Sequence, residues 1–436
     1  MATTHTQHEI RPPQTVEEYE AYIKIGADAY PGFTGWPMGE ARRVQAERML
    51  NTDTPERLIH PYGLFRAGQL LGRMSLFDFT MTLFETPTLV GGLGGVAVDL
   101  THKKEKVARD LVAFYLRHYR GRGAPLAALY AFRPDFYKAM GFGYGPKMNT
   151  YAIAPAALPA GGDRARVRFL TAADADAVNA CYERITARTH GMMRQIEPER
   201  SRMFADESQR VVGYVVDDEL RGYLTFTFKS ASADNPMRND LVVERLLYQD
   251  ARALLALLAF LRSQSDQARR IILNTQDDAF HYLLADPRNG SDRVAPHAYH
   301  ETNAQGVGLM YRILDTRAYF AALRGHRFGY GGVGAPDCTL KLTIADDFLP
   351  ENAGGVIVRF ADGLPQVVDT PDAASDAPHD VELRLSVADF SSLAMGCVSL
   401  RSLHAYGLAT LSDAGWLDRL TQLFAVERGP ICMTDF

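Results

Sequence analysis

Apolar and polar positions fall into three successive blocks along the chain, each mixing strand and helix signals. In the first, VEEYEAYIKIGADAY carries apolar residues at helical spacing behind Thr15, with Glu18 three residues on to complete a capping box. That helix is expected to stop at Pro31-Gly32. The loop PGFTGWP follows, then a polar helix over about 39–51, and apolar runs at 62–65, 69–79 and about 88–98 that read as strands. A helix over about 107–119 and a strand over 125–130 come next, and a short aromatic helix around Phe136 and Tyr137 ends in Gly141-Phe142-Gly143-Tyr144-Gly145. Mixed strands with helices between them predict an α/β layer.

A small-residue linker, APAALPAGGD at 154–163, separates this block from a second with the same order of elements. It predicts a strand at 167–170, a helix over about 172–188, strands at 210–216, 220–228 and 240–248, a helix at 251–264 and a strand at 271–274. The third block opens near Gly306 with a strand at 307–314 and a short helix at 316–323. Strands at 339–343, 355–360, 366–369 and 381–385 follow, with a surface loop over 367–378 and helices at 387–395 and 416–424. Strands gathered first and helices last suit an α+β sandwich. A chain of 436 residues, at roughly 150 residues per domain, agrees with three domains, placed at 1–155, 164–303 and 304–436.

Composition narrows the function classes. With 47% hydrophobic and 23% charged residues the chain is an ordinary globular protein. A net charge of −5 argues against a nucleic-acid binder held by phosphate contacts. Cys181, Cys338, Cys397 and Cys432 are widely spaced, without the Cys-x-x-Cys pairs or histidine spacing of a metal site, and read as reduced thiols. The N-terminal MATTHTQHEIRPPQ has no apolar signal core, and no apolar run reaches about 18 residues, so a cytoplasmic protein with no membrane partner is expected.

The chemistry concentrates between Val90 and Tyr144. An apolar strand runs into a basic turn from His102 to Lys106 and then a helix, and helix N-termini present unpaired N–H groups and partial positive charge to phosphates. Lys103, Lys104, Lys106 and Arg109 would surround a pyrophosphate with a nearby 3′-phosphate. A run such as HKKEK standing alone reads as a solvated turn; the flanking strand and helix favour function. The glycines Gly91 to Gly95 lie before and inside a strand rather than at a helix entry, which argues against a dinucleotide fingerprint and for a bend or bulge.

This segment resembles the acetyl-CoA core of the GNAT N-acetyltransferases, whose pyrophosphate loop reads Arg/Gln-x-x-Gly-x-Gly/Ala. Lys103, Lys106 and Ala108 occupy its three defined positions. Ala108 fits, while Lys106 departs from the family glycine and Glu105 adds negative charge. The resemblance implies acetyl-CoA as co-substrate, held by Lys103, Lys104, Lys106, Val107, Ala108 and Arg109 and by the backbone of Val96 and Val98 on a splayed strand.

Across nearly the whole chain the sequence is similar to the Eis (enhanced intracellular survival) type. That type joins two GNAT-like mixed-sheet domains, an α/β arrangement, to an α+β domain resembling sterol carrier protein. Three features carry the likeness: Phe136-Tyr137 with the following Gly141 to Pro146, Trp36 in the loop after the first helix, and a chain stopping on Asp435-Phe436.

The likeness implies that Tyr137 is the general acid, the terminal carboxylate of Phe436 the general base and Trp36 a substrate wall. Asp28, Asp435 and Glu40 are weaker candidates to hold a cationic amine. It further implies direct attack by a primary amine (aminoglycoside, polyamine or lysine-like) and a homo-oligomer, hexameric in that type. The apolar tail, with Pro430-Ile431-Cys432-Met433, favours burial of the chain end, and burial would raise a carboxyl from its usual pKa of about 3.3 to 3.7. In the second block Glu244-Arg245-Leu246-Leu247 replaces the glycine-bearing motif and no basic turn follows, so that copy is expected to be structural. An alternative, resting on Lys106 and Glu105, is a non-catalytic scaffold or lipid-binding protein with a degenerate CoA site.

Overall fold

The computed structural model describes residues 8–52, 57–194, 203–329, 336–368, 378–434 and 436. The first unit begins with β1 (His8–Arg11), α1 (Val16–Ala29) and α2 (Glu40–Asn51). The Thr15 side chain accepts from the Glu18 N–H and opens α1 as the sequence predicts, while the Glu18 carboxylate holds the Gln14 N–H at 2.6 Å and Arg11 at 2.7 and 2.8 Å. One face of α1 buries Tyr19, Tyr22, Ile23 and Ile25. The polar α2 buries only Ala46 and lies along α1.

β2 (Ile59–Arg66), β3 (Gln69–Leu83) and β4 (Thr86–Val98) then form an antiparallel meander with β1. α3 (Val107–Gly121) crosses over to β5 (Leu126–Tyr130), which runs parallel to β4. α4 (Pro134–Lys138), β6 (Gly143–Tyr144) and β7 (Met148–Ile153) follow. The amphipathic α3 turns Leu111, Val112, Tyr115, Leu116 and Tyr119 onto the sheet, and these residues form one core with Leu76, Leu93, Ala127 and Leu129.

The sheets exchange strands across the boundaries expected from sequence. β7, assigned to the unit ending at 155, pairs instead with Ala268–Thr275 and Asn303–Gly306 in the second seven-stranded sheet. Conversely, Leu309–Ile313, expected to open the third unit at 304, inserts antiparallel between β5 and β6 in the first sheet. Composition and periodicity cannot see pairing across such a distance. The physical reason is that β5 is buried nearly throughout, so its far edge needs a hydrogen-bonding partner, and the fully buried LMYRI supplies it.

The third unit is a five-stranded sheet ordered Leu364–Val367, Gly354–Ala361, Cys338–Ala345, Val381–Ser386 and Ala409–Leu411, with helices at Val387–Ala394, Leu400–Ala405 and Leu417–Leu423. Most of the loop expected at 367–378 lies outside the described residues. A buried ion pair ties this unit to the first sheet. Arg312, on the inserted strand, makes a bidentate contact to Asp346 at 2.7 and 2.8 Å with both side chains fully buried, and its Nε donates to the Met140 carbonyl at 2.8 Å. Among the described residues no helix is long and apolar enough to cross a membrane.

Candidate active site

β4 and β5 pair in parallel from Val90 opposite Leu126 to Leu93 opposite Leu129, and there the pairing stops while β4 continues to Val98. The divergence begins where β4 carries an extra residue against β3 between Arg73 and Ser75, with Gly95 at φ +57°. A left-handed residue in a strand bulges it, and glycine takes that conformation without steric cost. One edge of the strand end at 94–98 is therefore left open towards β5. Val96 is half-buried and its carbonyl accepts from the Tyr30 hydroxyl at 2.7 Å; Val98 is buried against the α3 core.

The basic turn stands at the mouth of this splay. Asp99 caps a single 3₁₀ turn, and α3 starts at Val107 behind Lys106, whose side chain makes no capping bond. Lys106 takes φ +66°, the left-handed region its family position reserves for glycine, and Lys104 does the same at φ +68°. The Lys106 side chain is exposed and does not fill the turn. Lys103, Lys104 and Lys106 make no ion pair with a described residue, so three cations face solvent beside uncapped amides. Glu105 does not oppose them freely, because Arg66 at 2.7 Å and His102 at 3.1 Å hold its carboxylate and lower its pKa. Val107 is buried and Ala108 half-buried. Arg109 lies over the Phe348 ring at 5.4 Å, a contact with the third unit absent from the sequence reading.

Tyr137 sits on α4, only 4% exposed, with Phe136 and Phe142 edge-on to its ring. Its hydroxyl makes no hydrogen bond among the described residues, and burial pushes its pKa well above the ordinary tyrosine range. The helix is fixed from behind, because Met140, three residues on, gives its carbonyl to the buried Arg312.

Residue 436 reaches the splay of β4 from the second unit. The Ile431 N–H donates to the His190 carbonyl at 2.8 Å and the Cys432 N–H to Gln276 at 2.6 Å, so the tail runs along the second unit with Cys432 and Thr434 buried. The Phe436 ring then lodges among Phe77, Phe79 and Tyr130, with centroids 5.6, 4.7 and 5.2 Å away. Its carboxyl carbon lies so close to Gly94 that a Cβ there would approach it to 3.1 Å. A residue larger than glycine at this point of the splay would displace the chain terminus. Asp435 lies outside the described residues.

A cleft of about 500 Å³ opens beside the bulge between α1, α2, β2 and β3. Trp36 forms one wall, with its indole N–H donating to the Tyr30 carbonyl at 3.3 Å. Two of the carboxylates expected to hold a cationic amine, Asp28 and Glu40, do not line the cleft. Asp28 is ion-paired with Lys24 at 2.6 Å one turn back on the exposed side of α1, and Glu40 is exposed at the start of α2. The cleft instead contains Arg73, which the sequence reading missed. The available signal was an arginine inside the apolar run LLGRMSLF. A second cavity of similar volume, lined by Thr86, Leu89 and Ala318, lies at the other end of β4, away from these groups.

The second sheet repeats the architecture with a different helix entry. Asn239–Tyr248 runs parallel to Ala268–Thr275 over 239–243 and then leaves it, and the helix between them, Ala251–Arg262, begins at Asp250. The Asp250 carboxylate accepts from the Ala253 N–H, placing a negative charge where the first unit presents bare amides and lysines.

Residues 10–145 and 185–313 each match an acetyltransferase (GNAT) domain, and residues 318–433 match a sterol carrier protein domain. An uncharacterized N-acetyltransferase of Streptomyces coelicolor is 27% identical over 378 residues, 83% of this chain and 84% of that one. A GCN5-related N-acetyltransferase from Anabaena variabilis superposes with a TM-score of 0.78 at 16% identity, covering 99% of this chain and 100% of its own. The protein is thus a transferase of the GNAT acetyltransferase family. Its two GNAT domains and sterol carrier domain follow the fold of Eis1 from Mycobacterium abscessus, with a TM-score of 0.74 at 21% identity over 99% of this chain and 100% of that one.

Proposed function

We propose that the first unit transfers an acetyl group from acetyl-CoA to a primary amine by direct attack, with the Phe436 carboxylate as general base and Tyr137 as general acid. The observation that carries this reading is the approach of the Phe436 carboxyl carbon to Gly94, at the residue where β4 and β5 part. Acetyl-CoA supplies an acyl group activated as a thioester. The chain's residues suit its diphosphate: the first-turn amides of α3 lack a side-chain cap, and Lys103, Lys104 and Lys106 are ion-paired to no carboxylate among the described residues. The open edge of β4 offers backbone groups to an extended amide-bearing chain.

In this reading the Phe436 carboxylate, directly or through a water, takes the proton of an ammonium group and leaves a nucleophilic amine. The Tyr137 hydroxyl, protonated at neutral pH, gives its proton to the departing sulfur. The proton removed at one end of the site thereby balances the one delivered at the other. The bonds of the Arg312 guanidinium to Asp346 and the Met140 carbonyl hold α4 in register for that donation. The second GNAT domain and the sterol carrier domain deliver the tail, and the reading includes a homo-oligomer acting in the cytoplasm.

Calorimetric titration with acetyl-CoA, followed by thiol release in the presence of primary amines, tests the proposal. Micromolar binding with amine-dependent release is expected. Absence of binding would overturn it.

A further inference from the structure

The acceptor cleft is cationic. Arg73 rises from β3 into it and is only 8% exposed, yet no carboxylate among the described residues pairs with it. Its guanidinium lies over the Tyr22 ring at 3.9 Å, with the Trp36 ring farther off at 6.0 Å. Its one hydrogen bond among the described residues is a long one, 3.4 Å from Nη1 to the Tyr22 carbonyl, and its buried Nε has no partner. Arg57 lines the same cleft, and its buried Nη1 is likewise without a partner among the described residues. No aspartate or glutamate lines the cleft among the described residues. A buried guanidinium with no counter-ion is costly to maintain, and arginine presents donors in a fork matched to a carboxylate.

The position of Arg73 gives the cation a role in recognition. A Cβ on Gly95 would meet its Nη2 at 2.8 Å, whereas a Cβ on the neighbouring Gly94 would meet the Phe436 carboxyl carbon at 3.1 Å. Consecutive residues of one bulge thus carry the group that would deprotonate an amine and a cation that would bind an anion. Tyr22, Ile23, Trp36, Met49 and Ile59 make most of the remaining wall aromatic or apolar, with Gln45 and Ser75 adding neutral polar groups.

We infer that the acceptor is an amine that also bears a carboxylate, an amino acid with an apolar or aromatic body, whose carboxylate docks on Arg73 with Arg57 beside it. This deepens the acetyl-transfer reading and rests on it. Polycationic acceptors such as polyamines and aminoglycosides are disfavoured at this site, because among the described residues they would meet two arginines and no carboxylate except that of Phe436.

The test compares phenylalanine with phenylalaninamide, phenethylamine and spermidine as acceptors, by acetyl-CoA-dependent thiol release on the full chain. Phenylalanine is expected to have the highest kcat/KM. In Arg73→Met, which keeps the volume, the ratio of kcat/KM for phenylalanine to that for phenethylamine should fall roughly tenfold or more, the usual effect of losing a charged hydrogen bond. Arg57→Gln, in the less buried part of the cleft, should lower the same ratio in the same direction and guards against a folding defect in the first variant. Higher kcat/KM for spermidine or phenethylamine than for phenylalanine would overturn the inference while leaving acetyl transfer intact, as would an Arg73→Met variant that slows all acceptors alike. Thiol release with none of the four, despite acetyl-CoA binding, would instead strike at the acetyl-transfer reading.

Discussion

At the scale of single residues, the site depends on groups whose surroundings decide their chemistry. The Tyr137 hydroxyl is protonated at neutral pH, as an ordinary tyrosine is; burial raises its pKa further, and it has no hydrogen-bond partner among the described residues that would compete for its proton. Tyr137→Phe should lower kcat by roughly 10²-fold or more, the usual share of a general acid, with acetyl-CoA affinity unchanged by calorimetry. Loss of affinity with normal kcat would reassign the residue to binding.

Lys106 is a different case, since a bulky residue holds a left-handed conformation where the family has glycine. The sequence made that substitution look like a defect in the phosphate turn. The structure shows a backbone that follows the glycine path, with the side chain in solvent and Glu105 neutralised by Arg66. Replacing Lys103, Lys104 and Lys106 together with alanine should weaken acetyl-CoA binding, and by less at high salt, where exposed charges are screened. The positions of these lysines were legible because charge and helix start are adjacent in sequence. Arg73 was not, because its meaning comes from two rings and a bulge contributed by other elements.

At the scale of elements, α1, α3, β3 and β4 follow their apolar periods to within a few residues of expectation, and the Thr15 cap and the strand-borne glycines take part as their positions suggested. The strand membership of 148–153 and 309–313 did not follow, since both segments are short and only partners far along the chain select their sheets. The Arg312–Asp346 pair is the lock on that arrangement, joining the inserted strand to the third unit and to the carbonyl behind α4. Asp346→Ala would leave a guanidinium buried without its carboxylate. It should cost about 3 to 5 kcal/mol in denaturant unfolding and lower kcat by loosening α4. Unchanged stability would remove the pair from the account.

At the scale of the whole molecule, three units meet at Phe84. It turns the β3–β4 corner and lies stacked between His190 of the second unit and His326 of the third, at 4.1 and 4.2 Å. The Phe84 N–H donates to His190 Nδ1, and His190 Nε2 donates to the Met395 carbonyl, so the neutral Nε2–H tautomer satisfies both bonds. Burial lowers both histidines to about 4.

A histidine depressed in the folded state stays neutral there, while the unfolded chain gains the proton near its ordinary pKa of about 6.5. The stability these groups contribute is therefore complete above that value and is lost as pH falls from about 6.5 towards 4. His190 is the more buried of the two and should account for a loss of a few kcal/mol, since each tenfold change in proton affinity between folded and unfolded chain is worth about 1.4 kcal/mol. The urea midpoint should drop steeply across this window, and less so in His190→Gln. A midpoint flat between pH 7 and 4.5 would contradict the junction as described.

This junction also explains how residue 436 comes to lie against the first sheet. The His190 carbonyl fixes the tail at Ile431, so the second and third units together aim the chain end at the β4 splay. The central claim is that this terminus does the work of a base, and appending a single glycine after Phe436 tests it most directly. Such a variant moves the carboxylate without deleting a side chain. The account predicts that kcat falls by roughly 10²-fold or more while acetyl-CoA binds as before; an unchanged kcat would contradict it.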